Sequence, residues 1–312
     1  MTTLVASVVV PVRGRCDDLR RCLAKLVVQE GVADFEILVC DDGSHESDSA
    51  RIREAASIDP RIRYLRQPPR GPAAARNLGV ACALAPIVAF TDSDTLPEPG
   101  WLAAILKPFD EPNVVAVEGP VKTPRPSESP LEEAPRNDQG GVFLTANMAY
   151  RRDALLEVGG LDEAFPYPAF EDVDLALCVS KLGEIRFAPD AVVMHPWRKM
   201  TLQSSLKRLR HLDWLLVTAL RHGCLGWIDR PTKRPRMRIA VAAAVTLPLG
   251  RIRKGFGYIT KAPADAMRRI GIAVVEAAIG VYLLPRWFRK QYPVERRRYL
   301  ARESRRPLEM AA

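Results

Sequence analysis

Two pairs of acidic residues each follow an apolar, β-branched run of the length of a buried strand: Asp41 with Asp42, and Asp92 with Asp94. Asp92 and Asp94 are two residues apart where their strand breaks into a loop, so they can face one divalent cation. Such hard oxygen ligands suit Mg²⁺ or Mn²⁺ that holds a diphosphate. Either pair alone is also ordinary turn chemistry. Two pairs at strand ends of one sheet, however, favour a nucleotide site.

Further candidate functional residues lie near the N-termini of two predicted helices. Gly71 precedes a predicted helix that contains Arg76. The guanidinium group of Arg76 and the dipole of this helix both favour binding of phosphate oxygens. The alternative is a surface arginine on a well-capped helix. Glu171 and Asp172 open another helix, where a carboxylate can accept the proton of a hydroxyl group. The alternative there is the usual acidic bias of helix N-termini.

Strands and helices alternate along the first part of the chain, which is typical of βαβ units and a mostly parallel sheet. The pattern predicts strands at 7–10, 35–40, 62–65, 87–91 and 114–118, and helices at 17–29, 47–56 and 72–85. Ligands of such sheets gather at the carboxyl edge, where both acidic pairs lie. After a loop at 123–141, the pattern predicts a helix at 171–182 and a strand at 191–194 that ends at His195.

Charge divides the chain of 312 residues into two parts. Residues 1–199 contain 22 basic and 30 acidic side chains, whereas residues 200–312 contain 24 basic and 7 acidic ones. We therefore predict an acidic globular domain over 1–199 and a basic tail over 200–312 that binds an anionic surface. With 47% apolar residues the chain can bury a sizeable core, which excludes general disorder.

The tail combines apolar segments with basic flanks. Leucines at helical spacing mark one face of its first predicted helix: Leu202, Leu206, Leu209, Leu216 and Leu220. The apolar runs 239–250 and 270–285 are shorter than the ~20 residues of a spanning helix, and basic residues flank both. This composition is typical of helices that lie in a membrane interface. The alternative is a helical hairpin that packs on the domain and exposes a solvated basic face.

Six cysteines are scattered without a CxxC motif or a Cys/His cluster, which argues against a structural zinc site and a disulfide framework. We expect the buried, reduced thiols of a cytosolic protein. The apolar N-terminus lacks preceding basic residues and a cleavage site, so it predicts a first strand and not a signal peptide.

The order of these motifs resembles that of family 2 glycosyltransferases with the GT-A fold. The resemblance runs from about Ser7 to Trp197 and rests on the segments SVVVPVRGR, DDGS, GPAAARNLG, DSD, TANMAYRR, GGLDEAF, EDVDLALCVSKLG and the strand that ends at His195. It implies an α/β, Rossmann-like fold with a mostly parallel sheet flanked by helices, followed here by the basic, apolar tail. It also implies transfer of a sugar, usually with inversion, from a nucleotide-diphosphate sugar to a hydroxyl acceptor.

The resemblance assigns roles by position. Residues that would contact the nucleotide or its diphosphate are Pro11, Arg13, Asp41, Asp42, Arg76, Asp92 and Ser93. Residues that would bind Mn²⁺ or Mg²⁺ are Asp92, Asp94 and His195, although a histidine before a proline at a strand end can also be purely structural. Asp172 matches the family's general base, which accepts the proton of the attacking hydroxyl. On the acceptor side would lie Thr145, Asn147 and Glu171, and many relatives have glycine where this chain has Thr145.

The tail lacks a clear QxxRW motif, of which Trp197-Arg198 and Arg286-Trp287 are only fragments. We therefore expect a single-addition enzyme and not a processive polysaccharide synthase. Its expected place is the inner face of the plasma membrane, where nucleotide sugars are present and the acceptor would be a lipid-linked glycan or glycolipid. Two alternatives are a soluble enzyme whose tail binds an anionic partner and a non-catalytic scaffold module at the membrane. Nucleic-acid binding is not expected, because apolar runs separate the basic clusters.

Overall fold

The computed structural model describes residues 4–165, 168–209, 218, 221–222 and 247–290. These residues form two compact units. The first consists of the described parts of Met1–Pro124 and Pro135–Pro196, and the second of those of Arg125–Ala134 and Trp197–Ser304. The second unit begins near the division predicted after residue 199, but it also takes in Arg125–Ala134 from the predicted first domain.

A seven-stranded sheet forms the centre of the first unit. The strands of the described residues are β1 (Ala6–Val12), β2 (Phe35–Asp42), β3 (Ile62–Gln67), β4 (Ile87–Phe90), β5 (Leu96–Pro97), β6 (Val114–Glu118), β7 (Val121–Lys122), β8 (Glu132–Glu133), β9 (Met148–Arg151), β10 (Glu184–Phe187), β11 (Val193–Met194) and β12 (Arg198–Lys199). The large sheet has the order β10-β6-β9-β4-β1-β2-β3. β1 pairs in parallel with β2 and β4, and β2 pairs in parallel with β3. The predicted mainly parallel sheet is confirmed.

β9 is the exception to the parallel arrangement. It lies between β4 and β6 and runs antiparallel to both, with Met148 opposite Phe90 and Glu118. The chain therefore enters β9 at the edge where β4 ends, and residues 145–147 form a 3-10 turn there. A hydrophobic pattern reports burial and not strand direction, so the sequence does not predict this reversal.

Helices cover both faces of the large sheet. They are α1 (Cys16–Leu26), α2 (Glu46–Ala56), α3 (Pro72–Cys82), α4 (Trp101–Leu106), α5 (Arg152–Glu157) and α6 (Glu171–Val179). α1 buries Leu19, Leu23 and Leu26 in the core, as its helical spacing requires. α3 lies close to β1, because a Cβ on Gly79 would be 2.4 Å from Val9 Cγ1. The three helices predicted before residue 90 are confirmed, with small shifts at their ends.

A smaller sheet of the first unit positions His195. β11 pairs antiparallel with β5 and parallel with β7. The next residue, His195, donates its backbone N–H to the carbonyl oxygen of Lys122 at 2.7 Å. The predicted strand that ends at His195 is therefore present, in a shorter form than the sequence suggested.

The described residues of the second unit form a short antiparallel strand pair and three helices of more than one turn. β8 pairs antiparallel with β12, and the helices are α7 (Leu202–Leu209), α8 (Leu247–Phe256) and α9 (Pro263–Lys290). α8 and α9 pack closely, since a Cβ on Gly255 would lie 2.7 Å from Ile270 Cγ1. Arg269 of α9 is buried and contacts Glu133 Oε1 at 2.6 Å. This unit therefore has an interior of its own.

Within the described ranges, the structure contains no helix that combines the length and the apolar character needed to cross a membrane. The predicted apolar run 270–285 lies within α9, whereas residues 239–246, Leu216 and Leu220 lie outside the described residues. The described cysteines are free thiols, namely Cys16, Cys22, Cys40, Cys82 and Cys178, and Cys224 also lies outside the described residues.

Candidate active site

Loops from three neighbouring strands meet at the carboxyl edge of the large sheet. β1 pairs with β2 on one side and with β4 on the other. The chain leaves β1 towards β2 and reaches β4 only later, so the loops that follow β1 and β4 diverge and leave a crevice between them. The predicted nucleotide and metal residues lie mainly at the ends of β1 and β2 and in the loops that follow β1 and β4.

Asp41, at the end of β2, is fully buried and its carboxylate is surrounded by donors. Its Oδ1 accepts hydrogen bonds from the backbone N–H (2.9 Å) and Oγ (2.5 Å) of Ser44. Its Oδ2 accepts from Ser49 Oγ and Tyr64 Oη, both at 2.7 Å. Burial opposes ionisation, but the hydrogen bonds from Ser44, Ser49 and Tyr64 hold the pKa of Asp41 below its ordinary value. Asp41 therefore organises the surrounding loops, because protein donors occupy both of its oxygens.

Asp42 fixes the segment before α3. Its Oδ1 accepts hydrogen bonds from Gln67 Nε2 at 2.9 Å and from the backbone N–H of Arg70 at 2.8 Å. Its Oδ2 accepts from the backbone N–H of Gly71 at 2.9 Å. Gly71 has φ +102°, a conformation that L side chains rarely adopt. Asp42 thus holds the turn that precedes α3, whose conformation suits glycine.

Three further predicted nucleotide residues lie beside these loops. Pro11 belongs to β1 and is partly buried, whereas Arg13 is exposed in the loop that follows. Ser93 is buried between Asp92 and Asp94. All three lie at the carboxyl edge of the sheet.

Arg76 connects two carboxylates that are far apart in the sequence. Its side chain is almost completely buried, with Nη2 at 2.8 Å from Asp92 Oδ1 and Nη1 at 3.1 Å from Glu171 Oε1. The two carboxylates offset part of the cost of burying the guanidinium group. The acidic pair after β4 and the acidic start of α6 therefore form one connected cluster.

Asp94 faces two cationic or cation-binding side chains. Its carboxylate is buried, and its Oδ2 lies 3.2 Å from Arg15 Nη1 and 3.7 Å from His195 Nε2. The predicted metal residues Asp94 and His195 are thus close together. Arg15 was not predicted from the sequence, because only the fold brings the loop after β1 to the loop after β4.

The residues around Asp94 fit a hard divalent cation. His195 Nδ1 lies 2.9 Å from the carbonyl oxygen of Pro196, which only accepts, so Nδ1 is assigned the proton and Nε2 keeps its lone pair. The 3.7 Å between Nε2 and Asp94 Oδ2 is short enough for one cation with bonds of about 2.1 Å to reach both atoms. Asp94 and His195 therefore offer one carboxylate and one imidazole, which suit Mn²⁺ or Mg²⁺. Asp92 remains a predicted ligand, because its contact in the structure is with Arg76.

Glu171 and Asp172 begin α6 directly after Phe170, which has φ +72°. Glu171 is buried, and burial together with the neighbouring charge of Asp172 raises the pKa of Glu171 above its ordinary value. Asp172 is only partly buried, and its Oδ1 accepts a hydrogen bond from the backbone N–H of Val173 at 2.9 Å. Its surroundings also raise the pKa of Asp172, mainly through desolvation. A carboxylate with a raised pKa is a better proton acceptor near neutral pH.

Asn77 is a positioning residue that sequence reasoning missed. Its Nδ2 donates to the carbonyl oxygen of Leu161 at 2.9 Å, and its Oδ1 accepts from the backbone N–H of Leu161 at 2.9 Å. Its Nδ2 also reaches Glu163 Oε1 at 3.0 Å. Asn77 therefore ties α3 to the segment that leads into α6. The sequence signal that could have identified Asn77 is its position next to Arg76 in the motif GPAAARNLG.

Glu118 is a second residue that the sequence did not single out. It ends β6, is buried, and accepts hydrogen bonds from the backbone N–H groups of Gly141, Val142 and Phe143 and from Asn137 Nδ2. Burial raises the pKa of Glu118, although these four donors oppose the effect. Glu118 thereby fixes the loop that leads into β9.

The predicted acceptor residues of the 145–147 turn are buried. Asn147 donates through Nδ2 to the carbonyl oxygens of Pro120 (2.8 Å) and Ala191 (2.7 Å), and its Oδ1 accepts from Trp101 Nε1 at 2.7 Å. These contacts occupy both polar groups of the side chain, so Asn147 acts on the site by fixing the backbone of the turn. Thr145 is also buried, at the start of the same turn.

Three buried polar atoms around the Arg76 cluster have no hydrogen-bond partner among the described residues: Arg76 Nε, Glu171 Oε2 and Tyr150 Oη. Buried polar atoms are usually satisfied, and exceptions are often completed by water or a ligand. Burial, followed by the charges of Asp172 and Glu118, raises the pKa of Tyr150, so its hydroxyl remains a neutral donor. These atoms mark a region that water or substrate hydroxyls can complete.

Residues 7–159 match the model of the protein family described as "Glycosyl transferase family 2". The pre-mycofactocin glycosyltransferase of Mycobacterium tuberculosis is 35% identical over 276 residues, which cover 81% of this chain and 54% of that protein. The chain thus spans about half the length of this relative.

Two solved structures are similar in fold. The mannosyltransferase PcManGT from Pyrobaculum calidifontis, in complex with GDP-Man and Mn²⁺, superposes with a TM-score of 0.59 at 20% identity and covers 90% of this chain and 88% of its own. TarS 1–349 of S. aureus superposes with a TM-score of 0.54 at 15% identity, with 92% of each chain covered. At these identities the likeness concerns the fold, and it agrees with the expected GT-A architecture.

Proposed function

Because residues 7–159 identify this chain as a member of glycosyltransferase family 2, we propose that it transfers a sugar from a nucleotide-diphosphate sugar to a hydroxyl acceptor, with a divalent cation and with inversion. The observation that carries the proposal is the single cluster at the carboxyl edge of the sheet. There Arg76 links Asp92, beside the cation-binding set, to Glu171, beside Asp172.

The donor lies on the side of β1, β2 and β4. Asp92, Asp94 and His195 hold the cation, which offsets the charge that gathers on the leaving diphosphate. Asp41 and Asp42 keep the loops of this pocket in place, with Asp42 nearest to the base. Pro11, Arg13 and Ser93 complete the nucleotide pocket.

Asp172 acts on the acceptor. Its carboxylate accepts the proton of the acceptor hydroxyl while the hydroxyl oxygen bonds to the anomeric carbon, and the bond from that carbon to the diphosphate oxygen breaks. Attack from the face opposite the leaving group inverts the configuration. The pKa of Asp172, raised mainly by desolvation, supports this role near neutral pH.

Donor turnover tests the proposal. The protein is given UDP-, GDP- and dTDP-sugars with Mn²⁺ or with EDTA, and release of nucleoside diphosphate is measured with and without a membrane lipid extract. We expect release that requires Mn²⁺ and is lost in Asp94→Ala and Asp172→Asn. Asp17→Asn is the matched control, because this carboxylate is 80% exposed on α1. Donor binding without release in every condition, acceptors included, would favour a non-catalytic scaffold.

We also propose that the second unit brings the enzyme to an anionic membrane, at its cytosolic face, where a lipid-linked glycan or glycolipid is the acceptor. Phe256 and Leu249 are exposed and seven residues apart on α8, as are Met267 and Val274 on α9. Each pair therefore lies on one side of its helix. The same segments expose the basic residues Arg253, Lys261 and Arg268. Apolar side chains beside basic ones suit a surface of anionic lipids.

Vesicle sedimentation tests this attachment. We expect binding to vesicles that contain phosphatidylglycerol and weak binding to pure phosphatidylcholine. Replacing Phe256 and Met267 with serine should weaken binding about 10-fold, because two apolar side chains would no longer leave water. Leu84→Ser, in the first unit, is the matched control, since Leu84 is also highly exposed. If the wild-type protein does not sediment with anionic vesicles, the alternative of a soluble enzyme is favoured.

A further inference from the structure

We propose that Arg15 is a built-in cation that neutralises Asp94 before the divalent cation binds, and that it couples binding of the cation to binding of the diphosphate. The inference rests on the proposed function, because it concerns the same cation site. Three observations support it: the backbone that aims Arg15, the atom it contacts, and its second partner.

The backbone of the loop after β1 is bent so that Arg15 points at Asp94. Gly14 and Arg15 both have left-handed conformations, with φ +61° and φ +55°. Such a conformation is uncommon for arginine and persists where the surroundings enforce it. The Gly14 N–H donates to Ser44 Oγ at 2.8 Å, and Ser44 Oγ in turn donates to Asp41 Oδ1. The buried carboxylate of Asp41 thus anchors the bend that places Arg15.

The contact lies at the oxygen that a cation would use. Arg15 Nη1 is 3.2 Å from Asp94 Oδ2, the same atom that His195 Nε2 approaches to 3.7 Å. A guanidinium that forms an ion pair with this oxygen competes for it with any metal ion. Its positive charge also repels a cation that enters the site alone. Arg15 therefore lowers the affinity of the site for a free divalent cation.

Arg15 has a second partner that keeps it paired when it leaves Asp94. Its Nε and Nη2 both lie 2.9 Å from Asp18 Oδ2, and Arg21 also pairs with Asp18. The Arg15 side chain is 45% exposed, so it can turn within the crevice. Next to a bound nucleoside diphosphate, the freed Nη1 faces phosphate oxygens and no longer opposes the cation. The cation and the diphosphate then bind more tightly together than separately.

Mn²⁺ binding measured without turnover tests the inference. Free Mn²⁺ is followed by electron paramagnetic resonance in titrations of the wild type, Arg15→Gln and Arg21→Gln, each with and without GDP or UDP. Arg21→Gln is the matched control, because it removes the same charge from the other arginine that pairs with Asp18. We expect Arg15→Gln to tighten binding of Mn²⁺ alone about 5- to 10-fold and Arg21→Gln to change it less than 2-fold. The enhancement of Mn²⁺ affinity by the nucleotide should shrink in Arg15→Gln.

The outcomes separate this inference from the proposed function. A wild type that binds Mn²⁺, with equal or weaker binding in Arg15→Gln, overturns the role of Arg15 and leaves the cation site intact. A wild type that binds no Mn²⁺ with or without nucleotide overturns both. Thermal unfolding controls for folding, and Arg15→Gly provides a second variant that accepts the left-handed backbone. The glycine variant should show the same gain in Mn²⁺ affinity.

Discussion

The two acidic pairs at the carboxyl edge look alike in the sequence but have opposite surroundings in the structure. Asp41 and Asp42 are the last residues of β2, and Asp92 and Asp94 follow β4. Hydroxyl, amide and backbone groups donate the hydrogen bonds to the first pair, and Arg66 Nε lies farther away, 3.8 Å from Asp41 Oδ2. Guanidinium and imidazole groups face the second pair.

This difference separates carboxylates that hold the fold from carboxylates that are available to a ligand. Hydrogen bonds from neutral groups satisfy an ionised oxygen permanently, so removing the carboxylate leaves buried donors without a partner. An exposed arginine such as Arg15 can instead be exchanged for a bound cation, and a histidine with an available lone pair can join in binding one. Substitutions in the first pair should therefore mainly lower the stability of the protein, and substitutions in the second pair should mainly lower its activity.

The largest effect is expected from Asp94→Ala. It removes the oxygen that Arg15 and His195 share, so turnover of the nucleotide sugar should fall about 1,000-fold through loss of charge stabilisation in the transition state. The melting temperature should change little, because Arg15 keeps Asp18 as a partner. Steady-state rates and thermal unfolding check both parts. A variant that loses its folded state would remove the distinction between the pairs.

Asp41→Ala should have the next largest effect, on stability. It leaves the donors of Ser44, Ser49 and Tyr64 without their buried acceptor, which should lower the free energy of unfolding by about 3 kcal/mol. Chemical denaturation measures the change, with Asp17→Ala as the exposed control on α1. If Asp41→Ala is as stable as Asp17→Ala, the network around Asp41 has no structural role.

The pH dependence of stability should have opposite signs at Asp41 and Glu171. Hydrogen bonds lower the pKa of Asp41, so its stabilisation is present above its unfolded pKa of about 3.9 and is lost as pH falls through the folded value. Burial raises the pKa of Glu171, so its contribution is complete below an unfolded pKa of about 4.3 and is lost as pH rises through the folded value.

Denaturation curves between pH 3 and pH 8 check this contrast. The stability advantage of the wild type over Asp41→Asn should shrink towards pH 3. Glu171→Gln should gain stability relative to the wild type as pH rises. Parallel curves for the two variants would show that the two carboxylates share one type of environment.

The smallest effect is expected from Tyr150→Phe. The Tyr150 hydroxyl has no hydrogen-bond partner among the described residues, so its removal should change the free energy of unfolding by less than about 0.5 kcal/mol. Substrate affinity should weaken a few-fold if the hydroxyl completes the acceptor site. Measuring KM and thermal unfolding of the same variant distinguishes a role in substrate binding from a role in stability. A destabilisation of about 2 kcal/mol would show that the Tyr150 hydroxyl makes a structural hydrogen bond.

The sequence predicts the core elements of the first unit because their signals are local. Apolar runs mark β1, β2 and β4, and Gly71-Pro72 marks the start of α3. The direction of β9 and the donors around Asp41 depend on contacts between distant segments. Arg15 and Asn77 illustrate the same limit, since their partners Asp94 and Leu161 lie 79 and 84 residues later in the chain.

The antiparallel direction of β9 has a consequence for how this site can diversify. Because the chain enters β9 at the edge where β4 ends, the segment before β9 can vary in length without changing the order of the strands of the large sheet. Glu118 accepts hydrogen bonds from Asn137 and from the backbone of residues 141–143. Insertions or deletions before Asn137 would therefore leave the position of residues 141–143 unchanged. We therefore expect related proteins to differ in length before Asn137, while the strands that precede Asp92 and Asp94 keep their order.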